Sequence, residues 1–119
     1  LSTAAGFSLM VEEKVVCVIG DLSFFYDQNA LWNSSLRGNL RILLLNNGGG
    51  KIFDTLPGLD ASDAAPQLVA GSHQTSAQGI CTQNDVGYIK ATDLLSLRTG
   101  IVTMLTEETS RPMVVEVVF

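Results

Sequence analysis

Residues 15–23 read Val-Val-Cys-Val-Ile-Gly-Asp-Leu-Ser, and residues 40–50 read Leu-Arg-Ile-Leu-Leu-Leu-Asn-Asn-Gly-Gly-Gly. Each segment opens with aliphatic side chains that mostly lack polar alternation, as in strands that are covered on both faces. In each, the apolar run is followed directly by polar residues and glycine. The two segments therefore predict two parallel strands, each ending in a turn that carries polar groups.

The segments outside this pair extend the same pattern. Residues 112–118 predict a third strand, and residues 87–91 predict a weaker fourth. Helices are predicted over residues 2–12, about 73–84, and 92–105. Because strands and helices alternate along most of the chain, the sequence predicts an α/β fold with a mainly parallel sheet flanked by helices.

The connection between the first two strands also has a helical pattern. Over residues 24–36, apolar side chains recur at seven- and eight-residue intervals with polar residues between them. This pattern predicts one amphipathic helix, with Phe24, Phe25 and Trp32 packed against the sheet.

One segment departs from the alternation. Residues 54–66 contain two prolines and no usable period, which predicts a long loop of the kind that covers a site or moves. Its acids Asp54, Asp60 and Asp63 are expected to be solvated. His73, on the helix predicted after this loop, is expected to be a surface or packing residue.

Composition limits the class of protein. The chain has 119 residues, 46% of them hydrophobic and 16% charged, and a net charge of −5, which predicts one domain over residues 1–119. The seven basic residues form no stripe, so we expect no nucleic-acid binding, and we expect no membrane span. Cys17 and Cys81 lie far apart with no partner motif, which favours reduced thiols in a cytoplasmic protein, and two Cys with one His are too few ligands for a structural zinc site.

The polar residues after the first two strands predict a metal site. Gly20-Asp21 follows the first strand, and Asn46-Asn47 follows the second about two dozen residues later. A right-handed crossover of that length brings both pairs to the carboxyl edge of one sheet. Asp21, Asn47 and a carbonyl of the glycine run could then share one Mg²⁺, which prefers oxygen ligands.

Other interpretations of these residues remain open. Asp21 could be a helix N-cap, Asn46 and Asn47 could serve only as turn residues, and Ser23 could cap the following helix. A phosphate group beside that helix is compatible with such capping.

The spacing and the residues around it resemble a known family. Gly-Asp, about two dozen residues and then Asn-Asn form the magnesium and thiamine-diphosphate motif of enzymes similar to pyruvate decarboxylase and acetolactate synthase. Leu22 departs from the usual Gly-Asp-Gly of that group. Residues 20–31 and 43–53 instead resemble the 2-succinyl-5-enolpyruvyl-6-hydroxy-3-cyclohexene-1-carboxylate synthases of menaquinone biosynthesis. The resemblance covers essentially the whole chain and is strongest over residues 2–56.

The resemblance implies roles for individual residues. It implies that the metal ligands are the side chains of Asp21 and Asn47 and the carbonyl of Gly49. It implies that Gly20, Leu22 and Ser23 lie near the diphosphate of the cofactor. It implies that Ile52, Phe53 and Leu56 lie near the reactive end of the cofactor. No catalytic residue is implied in this stretch, since the family's activating glutamate lies in another domain.

The resemblance also implies an activity and partners. It implies the thiamine-diphosphate-binding domain, in part, of a larger enzyme, with these residues as its C-terminal fragment. That enzyme would decarboxylate 2-oxoglutarate and add the product to isochorismate, with thiamine diphosphate and Mg²⁺ as cofactors. The implied partners are the other domains of the polypeptide and a second subunit, in a homodimer or homotetramer, and the fragment alone is expected to be inactive.

Two other functions stay open at this point. One is a different thiamine-diphosphate-dependent 2-oxo-acid decarboxylase or acetolactate-type synthase. The other is a non-catalytic α/β module that binds a nucleotide or a protein partner, with the Gly-Asp and Asn-Asn pairs as chance turns.

Overall fold

A computed structural model describes residues 1–57, 64 and 68–119. Its helices and strands, in chain order, are α1 (Ser2–Ser8), β1 (Val15–Gly20), α2 (Asp21–Tyr26), β2 (Leu40–Asn46), α3 (Gln78–Gln83), β3 (Gly87–Ala91), α4 (Leu94–Thr106) and β4 (Met113–Val118). The described residues also include two short 3₁₀ segments, Gln28–Trp32 and Lys51–Thr55.

The four strands form one sheet in the order β1-β2-β4-β3, and each neighbouring pair runs parallel. The aliphatic runs explain this arrangement, because a parallel sheet is covered on both faces and favours strands without polar alternation. The α/β fold with a mainly parallel sheet is therefore confirmed, as are the four predicted strands to within one residue at their ends.

The core lies on both faces of this sheet. On one face, Ile42 and Leu44 of β2 pack with Phe24 of α2 and with Cys81 of α3. On the opposite face, Met104 of α4 packs with residues of β4 and β3. Successive residues of a strand point to opposite faces, so even-numbered positions of β2 and β4 face α1, α2 and α3.

The single amphipathic helix predicted over residues 24–36 is wrong. α2 ends at Tyr26, and the chain continues from Gln28 as a 3₁₀ segment. Asp27, at the break, accepts a hydrogen bond from the backbone N–H of Ser2 at 2.6 Å. Phe24 is fully buried as predicted, but Trp32 is 72% exposed, because the changed twist of the 3₁₀ segment turns it away from the sheet.

Two other helices are shorter than predicted. α1 ends at Ser8 rather than at residue 12, and α3 begins at Gln78, so His73 lies in extended chain ahead of it. The predicted loop over residues 54–66, with Asp60 and Asp63 and the side chain of Asp54, lies largely outside the described residues. Among the described residues, no helix is long and apolar enough to span a membrane.

Candidate functional site

A cleft of about 390 Å³ opens at the carboxyl edge of the sheet, where β1 and β2 end. Of the residues predicted to bind the cofactor, all but Leu56 line this cleft; they are Gly20, Asp21, Leu22, Ser23, Asn47, Gly49, Ile52 and Phe53. Leu56, which is 43% exposed, follows the 3₁₀ segment that carries Ile52 and Phe53. The fold therefore brings residues from two separate segments to one concave surface.

Asp21 stands at the centre of this surface and is only 4% exposed. Its Oδ1 accepts a hydrogen bond from the backbone N–H of Leu22 at 2.8 Å, and its Oδ2 accepts one from that of Gly49, also at 2.8 Å. α2 begins at Asp21 itself, with Gly20 as its N-cap, so the N-cap interpretations of Asp21 and of Ser23 are both wrong. The Asp21 carboxylate instead connects the end of β1 to the glycine run after β2.

Asn46 and Asn47 differ sharply in their surroundings. The Asn46 side chain is buried and donates from Nδ2 to the Thr75 carbonyl at 2.8 Å and to Glu116 Oε1 at 2.7 Å. Within the part of the chain that the structure describes, the Asn47 side chain makes no hydrogen bond, although its Oδ1 is buried. A buried amide oxygen without a partner costs free energy, so we expect this atom to contact a bound group such as a metal ion.

The glycine run brings the backbone close to a second segment. Gly48 and Gly49 have φ angles of 77° and 148°, which glycine adopts without the penalty of a Cβ. A Cβ on Gly49 would lie 3.0 Å from the Ala70 carbonyl, and Gly50 N–H donates to that carbonyl at 2.6 Å. The run therefore serves both as the turn and as the contact surface for residues 70–73.

His73 is the functional candidate that the sequence did not identify. Its backbone N–H donates to the Gly48 carbonyl at 3.0 Å, and its Nδ1 accepts from the Thr75 N–H at 3.0 Å. Its Nε2 lies 3.1 Å from Asp21 Oδ2, but the orientation falls short of a hydrogen bond. No local pattern marks this contact, because it depends on the packing of residues 70–73 against the glycine run.

These donors fit a hard cation. The Asn47 amide oxygen, which has no partner in the described part of the chain, and the buried Asp21 carboxylate line the same cleft, and both are oxygen donors of the type that Mg²⁺ prefers. The Gly49 carbonyl accepts a hydrogen bond from the Lys51 N–H at 3.0 Å, which leaves its second lone pair for another partner. Among residues 1–57, 64 and 68–119, no three His, Cys, Asp or Glu side chains form a metal-binding group.

Comparison with known proteins gives one consistent family. No family model matches the sequence. The chain is 46% identical over 118 residues to the 2-succinyl-5-enolpyruvyl-6-hydroxy-3-cyclohexene-1-carboxylate synthase of Bacteroides thetaiotaomicron. It is 43% identical over 118 residues to the synthase of the same name from Phocaeicola vulgatus, and 36% over 116 residues to that of Flavobacterium psychrophilum. Each alignment covers 98% of this chain and 21% of the relative.

A solved structure shares the fold. It is that of a Rhodococcus jostii RHA1 thiamine diphosphate-dependent 4-hydroxybenzoylformate decarboxylase, with a TM-score of 0.74 over 95% of this chain and 21% of that one. The sequences are 21% identical, so this likeness shows the fold alone. By sequence, the chain belongs to the family of the 2-succinyl-5-enolpyruvyl-6-hydroxy-3-cyclohexene-1-carboxylate synthases, and it spans about a fifth of the length of those relatives.

Proposed function

We propose that this chain is the part of a thiamine-diphosphate-dependent synthase that holds Mg²⁺ and the diphosphate of the cofactor. The observation that carries the proposal is the occurrence, in one cleft, of the buried Asp21 carboxylate and the Asn47 Oδ1, which has no hydrogen-bond partner among the described residues. Asp21, Asn47 and the Gly49 carbonyl would hold the metal. Mg²⁺ is usually bound by few protein groups together with phosphate oxygens and water, and this small donor set suits that mode.

The other residues of the cleft would position the cofactor. Gly20 leaves open space, since a Cβ placed there would meet no atom within 4 Å. Leu22 and Ser23 would lie beside the diphosphate. Ile52 and Phe53 form an apolar wall, with Leu56 just beyond it, and would keep water from the reactive end.

For the whole protein, we propose the synthase activity that the name of its relatives describes. Thiamine diphosphate supplies an electron sink for the carbanion left when a 2-oxo acid loses CO₂. We propose 2-oxoglutarate as that acid and isochorismate as the acceptor, in menaquinone biosynthesis. The residues of this chain would bind and orient the cofactor. Proton transfer to and from the substrates would be carried out by other parts of the protein.

We further propose that this stretch, residues 1–119 as one thiamine-diphosphate-binding unit, is covered by other domains and by a second subunit. Val16 and Val18 of the edge strand β1 are 44% and 61% exposed, and Trp32 is 72% exposed. Apolar side chains of this kind suit burial against protein. A homodimer or homotetramer in the cytoplasm is the proposed working state, and the unpaired Cys17 and Cys81 support a reducing compartment.

The activity is tested by product analysis on the full-length protein that contains this sequence. With thiamine diphosphate and Mg²⁺, we expect CO₂ release from 2-oxoglutarate and consumption of isochorismate, and no turnover of pyruvate alone. Removal of the metal with a chelator should abolish turnover, and added Mg²⁺ should restore it. Turnover of pyruvate alone would instead favour an acetolactate-type synthase or another decarboxylase.

A further inference from the structure

Glu116 is a buried carboxylate in a strand that is otherwise apolar. β4 reads Met-Val-Val-Glu-Val-Val, and Glu116 is fully buried near its carboxyl end, in register with Leu44 of β2 and Lys90 of β3. A buried carboxylate is costly unless hydrogen bonds compensate it, and an apolar residue would serve the core as well or better. The presence of the acid here therefore points to a role other than packing.

Neutral donors surround this carboxylate. Oε1 accepts from Asn46 Nδ2 at 2.7 Å and from the Ala77 N–H at 3.2 Å, and Oε2 accepts from Ser76 Oγ at 2.8 Å and from the Tyr88 hydroxyl. Burial alone would raise the pKa of the Glu116 carboxyl, but these hydrogen bonds outweigh burial and hold the pKa below its ordinary value. No ion pair to Glu116 occurs within the described ranges.

The donors belong to segments that lead to the metal-binding end of the cleft. Asn46 directly precedes Asn47, and its Oδ1 also accepts from the Gly48 N–H at 3.2 Å. Ser76 and Ala77 end the extended segment that begins near His73, and Asn46 Nδ2 also holds this segment through the Thr75 carbonyl. One carboxylate therefore connects both segments that border Asp21.

We propose that Glu116 is a positioning residue for the metal site, and that it fixes Asn47 and His73 around Asp21 through Asn46 and residues 75–77. This inference rests on the proposed function, because it assumes that Asn47 and Asp21 bind Mg²⁺. Groups behind metal ligands commonly determine how well those ligands are oriented. Glu116 is not among the residues that line the cleft; it acts through Asn46, the Ser76 hydroxyl and the Ala77 N–H.

The test is a calorimetric titration of Mg²⁺ into the full-length protein with saturating thiamine diphosphate. Glu116→Gln keeps the shape but replaces the carboxylate with a neutral amide, whose oxygen is a weaker acceptor and whose NH₂ group faces side chains that donate to Glu116 in the wild type. We expect Mg²⁺ affinity to fall about 10- to 100-fold. The kcat at saturating metal should stay within about two-fold of wild type, because the variant removes no group that touches the reacting atoms. Glu13→Gln, an exposed glutamate at the opposite edge, is the matched control and should leave both quantities unchanged.

Tyr88→Phe keeps the proposal testable if Glu116→Gln does not fold. It removes one donor to Glu116 at a half-buried position, and Mg²⁺ affinity should fall by less than in Glu116→Gln but measurably. Tyr26→Phe, at a tyrosine that is 84% exposed, is its control. Wild-type Mg²⁺ affinity in the variants, with lower thermal stability only, would overturn the positioning role and leave the proposed function intact. Absence of Mg²⁺-dependent cofactor binding in the wild type would overturn both.

Discussion

The two edges of the sheet both carry clefts that contain polar groups, yet these groups are used differently at the two edges. At the amino edge, a cleft of about 540 Å³ is bordered by charges that pair with each other, Arg37 with Glu12 at 2.8 Å and Lys14 with Glu108. At the carboxyl edge, the smaller cleft contains the Asn47 side chain, which has no hydrogen bond within the described residues. The volume of a cleft therefore does not identify the binding site in this protein. The hydrogen bonding of the polar groups in the cleft does.

The amino edge has unpartnered buried atoms too, but of another kind. Among residues 1–57, 64 and 68–119, Asn39 Oδ1 and Arg41 Nε have no hydrogen-bond partner. Asn39 Nδ2, however, donates to three carbonyls, and the terminal nitrogens of Arg41 donate to Thr109 Oγ1 and the Glu107 carbonyl. These side chains hold the backbone together at that edge. Changes at the amino edge should therefore alter stability, and changes at the carboxyl edge should alter metal binding.

The largest expected loss of stability comes from Gly38→Ala at the amino edge. A Cβ on Gly38 would lie 1.6 Å from the backbone oxygen of Thr109, so the two segments must separate. We expect the full-length protein to lose about 3 kcal/mol or more of stability in urea unfolding. Gly6→Ala in α1, where a Cβ meets nothing within 4 Å, is the control and should be neutral or slightly stabilising. Equal stability of the two variants would contradict this account of the edge.

Gly49→Ala should affect both stability and metal binding. Its φ of 148° and the 3.0 Å approach of a Cβ to the Ala70 carbonyl predict a cost of about 1–3 kcal/mol. Because Gly49 also donates to Asp21, Mg²⁺ affinity measured by calorimetry should fall as well. Gly79→Ala in α3, with open space around its Cβ, should leave Mg²⁺ affinity unchanged and stability unchanged or slightly raised. If the Gly49→Ala variant loses stability but keeps wild-type Mg²⁺ affinity, Gly49 is not part of the metal site.

The pH dependence of stability should separate Glu116 from exposed glutamates. Its folded pKa is lowered, so its stabilising contribution is present above the ordinary glutamate pKa of about 4.3 and is lost as pH falls through the folded pKa. The difference in thermal midpoint between wild type and Glu116→Gln should therefore shrink at pH values below about 4. Glu13→Gln, at an exposed glutamate, is the matched control. A difference that is constant from neutral to acid pH would contradict the ionised state of Glu116.

The smallest effect is expected at the amino-edge ion pair of Glu12 and Arg37. The Glu12 side chain is 88% exposed, and Arg37 keeps its hydrogen bonds to the Ser8 and Val11 carbonyls without it. We expect Glu12→Gln to cost about 0.2–1 kcal/mol at low salt. In about 1 M salt, where charges are screened within about 3 Å, the difference should vanish. A larger, salt-independent loss in urea unfolding would show that this pair holds the edge together.

The strands, and the position of Asp21 and Asn47 at one edge of the sheet, could be predicted because local sequence patterns encode them. The aliphatic runs before Gly20 and Asn46 needed no tertiary information to be identified as buried strands, and parallel pairing then placed Asp21 and Asn47 at one edge. Helix ends were less predictable. The break at Asp27 follows from a contact with Ser2, far away in the sequence, which apolar periodicity over residues 24–36 could not indicate.

The remaining site residues are defined by contacts that no local pattern encodes. Glu116 lies in an apolar run that predicts a strand and nothing more. Its partners, Asn46, Ser76 and Tyr88, come from three other parts of the chain. His73 reaches Asp21 only because residues 70–73 lie on the glycine run. Contacts between distant segments at the sheet edge, rather than the spacing of residues along the chain, bring these residues to the site.

The central claim is that Asp21 and Asn47 form one metal site. Calorimetric titration of thiamine diphosphate with Mg²⁺ into the full-length protein tests it most directly, with wild type compared with Asp21→Ala and Asn47→Ala. Asn33→Ala, at an exposed asparagine away from the cleft, is the control. The account predicts Mg²⁺-dependent binding in wild type and control, lost in both cleft variants. Binding that is indifferent to both substitutions would contradict it.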